Sequence, residues 1–385
     1  MPEKKNQHYV PKHYLRAWAT DGKLNVLPLS AGKIFPDTTD SVCSRNYFYG
    51  NPPVVEDELA NLDGYHAHPF RELRNGDDLT DLSQQRIELL LSFITTQRTR
   101  SRATKQDIKQ GYDFLKDAVE DDMEADRYED KIEWKDDFDE EEKMDKLVEV
   151  HLLGVHHFLI AQGIFGYIGI KDLDGVMLCN VTDQEFIVSD APMVLDIPQY
   201  KHQLGLVPAG IGNRGLQIYC PVDQHHILLL YDPDVYQFDQ NSKKQVLIKN
   251  EEVVDELNLL QFHNAESIVM FNDSREDYIL NLYDRIDEVR RREEITTTRG
   301  TENIGEFEME EAPSYQVPKI SPEIPGCTPL DGVRYMKRRP ASEIEKGRQL
   351  VHTIFNEVNW ASDIAVIYCI RILEQLLDLK SEKSD

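Results

Sequence analysis

The chain has 385 residues, with 70 acidic against 43 basic side chains and a formal charge of −27. Hydrophobic residues make up 40% and charged residues 29%, enough apolar material for a large folded domain and too much for full disorder. The acidity excludes an unspecific polyanion coat or an anionic-membrane binder, because its field repels phosphate, yet it leaves room for a local basic groove.

The charge is uneven. Residues 117–146 hold 16 acidic and 5 basic side chains, so −11 of the total falls in one segment, read as a solvated acidic insertion. Five cysteines (Cys43, Cys179, Cys220, Cys327, Cys369), odd in number and without a CxxC pair, predict free thiols in a reducing, cytoplasmic setting. The first residues have no apolar signal core. The longest apolar stretch, Phe158 to Ile170, is broken by Gln162 and three glycines, so no membrane span is expected.

In chain order, HYVPKHYLRAW (8–18) predicts a helix started by Pro11, with Tyr14, Leu15 and Trp18 on one stripe. Short strands follow at KLNVLPLS and NYFYG. A second helix is predicted over Val55–Leu73, a third over Leu82–Tyr112, and a fourth carrying Leu147, Leu152, Val155 and Leu159. The pattern then turns to strands: VMLCNVT and EFIVSD as a hairpin, then LQIYCPV and HHILLLYDP. The helix VVDELNLLQFHNAE, the strand SIVMFN and a closing helix from Glu276 complete the core.

Helices first and antiparallel-looking strands later predict an α+β fold over residues 1–291. Residues 292–340 read as an extended linker and 341–385 as an appended helical segment. Ser342 and Glu345 form a capping-box pattern. In the last helix Val366, Ile370, Leu373 and Leu377 make a short seam that must dock on the core or on a second copy, so a homo-oligomer through residues 341–380 is one expectation.

Several groups suit chemistry. His8, His13 and Arg16 lie within three helical turns, two imidazoles and a guanidinium suited to proton transfer and anion binding, or to hydrogen bonding inside the core. On the third helix the apolar face runs through Ile87, Leu90, Leu91 and Ile94 into Gln97 and Arg98, which places polar groups on an inward stripe. That pattern fits a buried ion pair and a binding site equally. Arg100, Arg102 and Lys105 continue a basic stretch. Glu56 and Asp63, two helical turns apart, share a face able to pair with Arg98 or hold a divalent cation, Mg or Mn. Ser189-Asp190 ends a strand in a turn before Pro192, read either as a displayed site or as a self-bonded turn. The GxGxxG at 210–215 precedes a strand and no helix, so it is not a dinucleotide site.

These segments occur in one order (HYVPKHYLRAW, RNYFYG with VEDELANLDG, LLSFITTQRTRSR, FIVSDAP, IYCPVDQHHILLL, LNLLQFHNAESIVMF) that resembles domain of unknown function family 4238 over about residues 7–290. The resemblance implies that His8, Pro11, Tyr14, Leu15, Arg16, Glu56, Gln97, Arg98, Ser189, Asp190 and Pro192 occupy family-motif positions. Asp63, where the family often has glutamate, and Ala191, where it often has asparagine, depart from the pattern.

The expectation is one pocket with His8, Arg16, Gln97, Arg98 and Asp190 as catalytic groups. His13, Arg100, Arg102 and Ser189 would bind substrate, and Glu56 and Asp63 would hold the metal. A histidine, arginines and carboxylates suit a phosphodiester or nucleotide hydrolase, such as a metal-dependent nuclease of a defence or toxin system with nucleic acid or nucleotide as partner. The alternative from the same residues is a non-catalytic module that binds or senses an anionic ligand.

Overall fold

The computed structural model describes residues 5–121, 139–201, 210–289, 295–300, 307–312, 318–334, 339, 349–350, 353 and 363–379. Its helices are α1 (Lys12–Leu15), α2 (Val54–Arg74), α3 (Gln84–Thr99), α4 (Arg102–Asp121), α5 (Glu140–Gly166), α6 (Glu251–Asn264), α7 (Glu276–Asp284), α8 (Ile286–Val289) and α9 (Asp363–Leu376). The strands are β1 (Asn6–His8), β2 (Lys23–Pro28), β3 (Phe35–Thr38), β4 (Ser44–Asn46), β5 (Asp174–Asn180), β6 (Val188–Ser189), β7 (Val194–Asp196), β8 (Gln217–Pro221), β9 (His226–Tyr231), β10 (Tyr236–Phe238), β11 (Gln245–Ile248), β12 (Ile268–Phe271), β13 (Ile295–Gly300), β14 (Phe307–Ala312) and β15 (Cys327–Pro329). The fold is α+β.

A helical layer is built from α2, α3, α5 and α9, with α3 against α5 and α9 against both α5 and α2. Two glycines on α5 let α3 approach. A Cβ on Gly163 would lie 3.0 Å from the Thr95 carbonyl oxygen, and one on Gly166 2.9 Å from the Thr95 Cβ. The stretch Glu142–Ile170 is long and apolar enough to cross a membrane by length and composition, but 61% of its apolar window is buried in this layer. The predicted seam of Val366, Ile370, Leu373 and Leu377 is spent inside the chain, where all four are buried in the main core. These four seam residues are therefore covered within the chain itself. The Ser342–Glu345 cap and residues 122–138 of the acidic insertion lie outside the described residues.

The larger sheet has the order β11-β5-β9-β8-β7 and the smaller β3-β2-β12-β6. Every pair in them is antiparallel except β11 with β5. The expected hairpin of VMLCNVT with EFIVSD does not form. Its first half pairs with β9 and β11, while Val188–Ser189 joins β12 in the other sheet. NYFYG is likewise no strand beyond its first residue; Ser44–Asn46 pairs with β1 and the chain turns at Tyr47. In the expected linker, Cys327–Pro329 pairs with Tyr236–Phe238 and the Arg339 guanidinium binds Asp172 at 2.7 Å, so these two pieces are docked on the core.

The α6 helix ties the two sheets together by a ladder of amides three residues apart. Asn258 accepts from the Ile187 N–H and donates to the Glu185 carbonyl. Gln261 accepts from the Ser189 N–H and donates to the Pro192 carbonyl. Asn264 donates to the Ala191 and Met193 carbonyls. One polar helical stripe thus satisfies the irregular backbone of 185–193, which otherwise would be buried without partners.

Candidate functional site

The predicted third helix is broken at Arg100–Ser101, and this break builds the candidate site. Ser101 caps the new helix, its Oγ accepting from the Thr104 N–H at 3.2 Å. The Ser101 and Thr104 hydroxyls both donate to the Arg98 carbonyl, at 3.1 and 2.7 Å, so the freed end of α3 is satisfied locally. The bend opens a cleft of about 250 Å³ lined by Gln97, Arg98, Thr99, Ser101, Thr104 and Asp107 on one wall. Ala191, Met193, Leu195 and Asn264 form the other. The second wall is the loop that the α6 amides hold in place.

Of the expected catalytic set, Gln97 and Arg98 reach this cleft. Gln97 is anchored by donating to the Tyr9 carbonyl at 2.9 Å, and its buried Oε1 has no protein partner. Arg98 is half-buried on the lining.

The other residues lie elsewhere. Arg100 is 2% exposed and forms a clasp behind the cleft, donating to Asp63 at 2.6 Å, to the His8 carbonyl at 2.9 Å and to the Tyr49 hydroxyl at 3.1 Å. Burial opposes its charge, but Asp63 and Tyr49 outweigh that and hold the guanidinium protonated. Arg100 is thus an internal brace for β1 and not a free substrate ligand.

Glu56 accepts the His8 N–H at 3.5 Å, so the expected metal pair is divided between two protein partners. Among the described residues no group of three His, Cys, Asp or Glu side chains is arranged to hold a metal ion. Asp63 is held by the Arg100 guanidinium and is not left open to a Mg or Mn ion.

His8 is 7% exposed, and burial, then the Lys12 charge, lowers it to about 4. His13 sits between Phe70 and Phe93, lowered to about 3 by burial and by Arg74. Both are neutral at pH 7, and neither lines the cleft. Arg16 is exposed and Arg102 half-buried, both outside the lining.

Asp190 is fully buried, accepting from the Glu266 and Ser267 N–H groups at 2.9 and 3.0 Å and from the Ser267 hydroxyl at 2.6 Å. Ser189 donates its hydroxyl to Gln261 at 3.0 Å. The Ser-Asp pair is a brace between distant segments, neither the displayed site nor the self-bonded turn its sequence suggested, because the Asp190 partners come from residues 266 and 267. Its service to the cleft is indirect, since it fixes residues 191–195.

Sequence reasoning missed Thr104, Asp107, Met193, Leu195 and Asn264. Asn264 was visible as the third member of the Asn258, Gln261, Asn264 spacing, and Ser101 as a cap signal inside an otherwise helical run. For the two apolar residues no signal in the sequence separates cleft from core.

The sequence model of a family described as protein of unknown function (DUF4238) matches residues 6–275, a span that holds both the clasp and the cleft. No curated protein and no solved structure matches the chain.

Proposed function

For a chain that belongs to the DUF4238 family of proteins of unknown function, we propose that the cleft binds a small ligand with an anionic end and an apolar face. The observation that carries this is the lining itself. A guanidinium, two amides and three hydroxyls stand on the rim of a small cavity whose far wall holds Met193 and Leu195. The Arg98 guanidinium suits phosphate or carboxylate and the Gln97 Oε1 suits a hydrogen-bond donor on the ligand, while the thioether and leucine suit a flat or aliphatic moiety. The volume restricts the ligand to one of roughly nucleoside size or below.

Hydrolysis of a phosphodiester or nucleotide in the same cleft is a second reading, favoured by Asp107. It supplies the lining with a carboxylate, the group type that accepts a proton from water, beside Gln97 and Arg98. His8 and Asp190 have no place in that chemistry. The wall of Asp107 also favours a ligand that donates hydrogen bonds at one edge.

The test is a thermal-shift panel of nucleotides, inorganic phosphate and short carboxylates against the full chain, repeated on Arg98→Ala and paired with product analysis in Mg or Mn. A ligand at a hundredfold excess over its Kd stabilises by about 2.7 kcal/mol. The binding reading expects such a shift in the parent, its loss in Arg98→Ala, and no product. Turnover abolished by Asp107→Asn selects hydrolysis. No shift with any compound overturns both.

A further inference from the structure

Away from the cleft, a thiol, an imidazole and a carboxylate converge at one end of the larger sheet. Cys179 on β5 and His226 on β9 are direct cross-strand partners. Their side chains therefore leave the same face with Cβ atoms roughly 5 Å apart. Asp223, in the turn before β9, holds the His226 Nδ1 at 2.9 and 3.1 Å through its two oxygens. The His226 side chain is 39% exposed. On the other flank the parallel register sets Leu247 beside Cys179, and Leu247 is also exposed. The row Leu247, Cys179, His226, Asp223 thus runs across three strands, with Cys179 itself 8% exposed between the exposed leucine and the partly exposed imidazole.

This arrangement has the parts of an activated nucleophile: a thiol, a ring beside it, and a carboxylate fixing that ring. The Asp223 hydrogen bond, with the thiol contact, pushes His226 up to about 10, so the ring is an imidazolium at neutral pH. A cationic neighbour favours thiolate. The thiol also lies 3.7 Å from the Met177 carbonyl. Burial is the largest influence on the other four, and among the described residues no cationic imidazole acts on any of them. Cys43 and Cys220 are pushed far up, Cys327 to about 11 and Cys369 to about 12.

We propose that Cys179, paired with His226 and oriented by Asp223, is the reactive thiol of this chain and its site of modification by hydroperoxides. In the step, the thiolate sulfur attacks one peroxide oxygen and an S–O bond forms as the O–O bond breaks. The His226 imidazolium gives its proton to the departing oxygen, so thiol and hydrogen peroxide become sulfenic acid and water. Sulfur loses two electrons and the peroxide bond gains them. The small apolar flank at Leu247 admits hydrogen peroxide or a short organic hydroperoxide.

The test treats the full chain with sub-stoichiometric hydrogen peroxide, traps sulfenic acid with dimedone and maps the adduct by peptide mass spectrometry. Cys179 is expected to carry the adduct at a rate about tenfold above any other cysteine, the advantage of a neighbouring imidazolium that can protonate the departing oxygen. His226→Gln is expected to remove that advantage and Asp223→Asn to reduce it. First labelling at Cys327 or Cys369 in the parent protein overturns the proposal whether or not the variants fold. So does an unchanged Cys179 rate in a folded His226→Gln.

Discussion

Two regions built from one five-residue stretch, Gln97 to Ser101, have opposite character. Behind α3, Arg100 is sealed by Asp63, Tyr49 and the His8 carbonyl. In front of it, Arg98 and the Gln97 amide border an open cleft. Two residues along a helix turn the side chain by roughly 200°, so one arginine faces the clasp and the other the cleft. The lesson is that a run of arginines is not one site. Local charge in the sequence merges what helical rotation separates, and the comparison can be broken by variants that treat the two faces alike.

The largest effect is expected at the clasp. Arg100→Ala leaves the half-buried Asp63 without its partner and takes from the His8 carbonyl the shorter of its two donors, which costs about 3–5 kcal/mol. Chemical denaturation should show a midpoint drop of that size or no folded protein. Arg100→Lys should recover little, since an ammonium cannot span three acceptors lying around a planar fork. A folded Arg100→Ala chain with unchanged stability would erase the distinction between the faces.

Acid should attack the same region next. His8 and His13 sit at about 4 and 3 in the folded chain, and burial also lowers His66 and His156 well below the ordinary value. The unfolded chain binds these protons first as pH falls below roughly 6.5. Stability from keeping the rings neutral is therefore complete above that pH and declines steadily down to the folded values. Urea midpoints measured from pH 7 to pH 4 should fall, and His13→Phe, which packs between Phe70 and Phe93, should flatten part of the slope. A profile flat to pH 4 would show that the rings are not held neutral.

A smaller loss is expected where α3 meets α5. Gly163→Ala drives a methyl group into the Thr99 hydroxyl and to 3.0 Å from the Thr95 carbonyl, overpacking that costs about 1–3 kcal/mol. Because Thr95 precedes Gln97 by two residues, the strain also tilts the front wall of the cleft. Ligand-induced stabilisation should fall along with the denaturation midpoint in this variant, whereas Arg100→Ala should damage the midpoint far more.

Much of the architecture was legible. Apolar periodicity located α2, α5 and α6, and the change to alternating residues located β8, β9 and β12, because one face of each packs on a single core. What failed were pairings decided at long range. The strand at 174–180 looks like half of a hairpin with 185–190, yet its partners come from residues 226–231 and 245–248, and no local pattern encodes that choice. The polar residues on the inward face were legible as buried groups needing partners. Which partner each one finds depends on which side of the α3–α4 bend it faces. The bend itself rests on Ser101, one hydroxyl in a run that otherwise reads as continuous helix. Asp190 shows the same limit: a carboxylate in a turn looks displayed until the N–H groups of residues 266 and 267 are brought to it from a different segment.

The smallest stability effect, and the sharpest cut between the two faces, is expected at Arg98. Its side chain is half-buried on the cleft wall, so Arg98→Ala should cost about 1 kcal/mol or less. Its backbone carbonyl still accepts from Ser101 and Thr104, because neither bond involves the side chain. The bend therefore survives the substitution. Any loss of ligand-induced stabilisation in this variant belongs to the guanidinium and not to a collapsed wall. Paired with Arg100→Ala it gives a crossed result: one arginine whose removal harms the fold, and one two residues away whose removal harms binding alone. An Arg98→Ala chain as unstable as Arg100→Ala would instead mean that both guanidiniums brace the core, and the cleft would lose its anion-binding group.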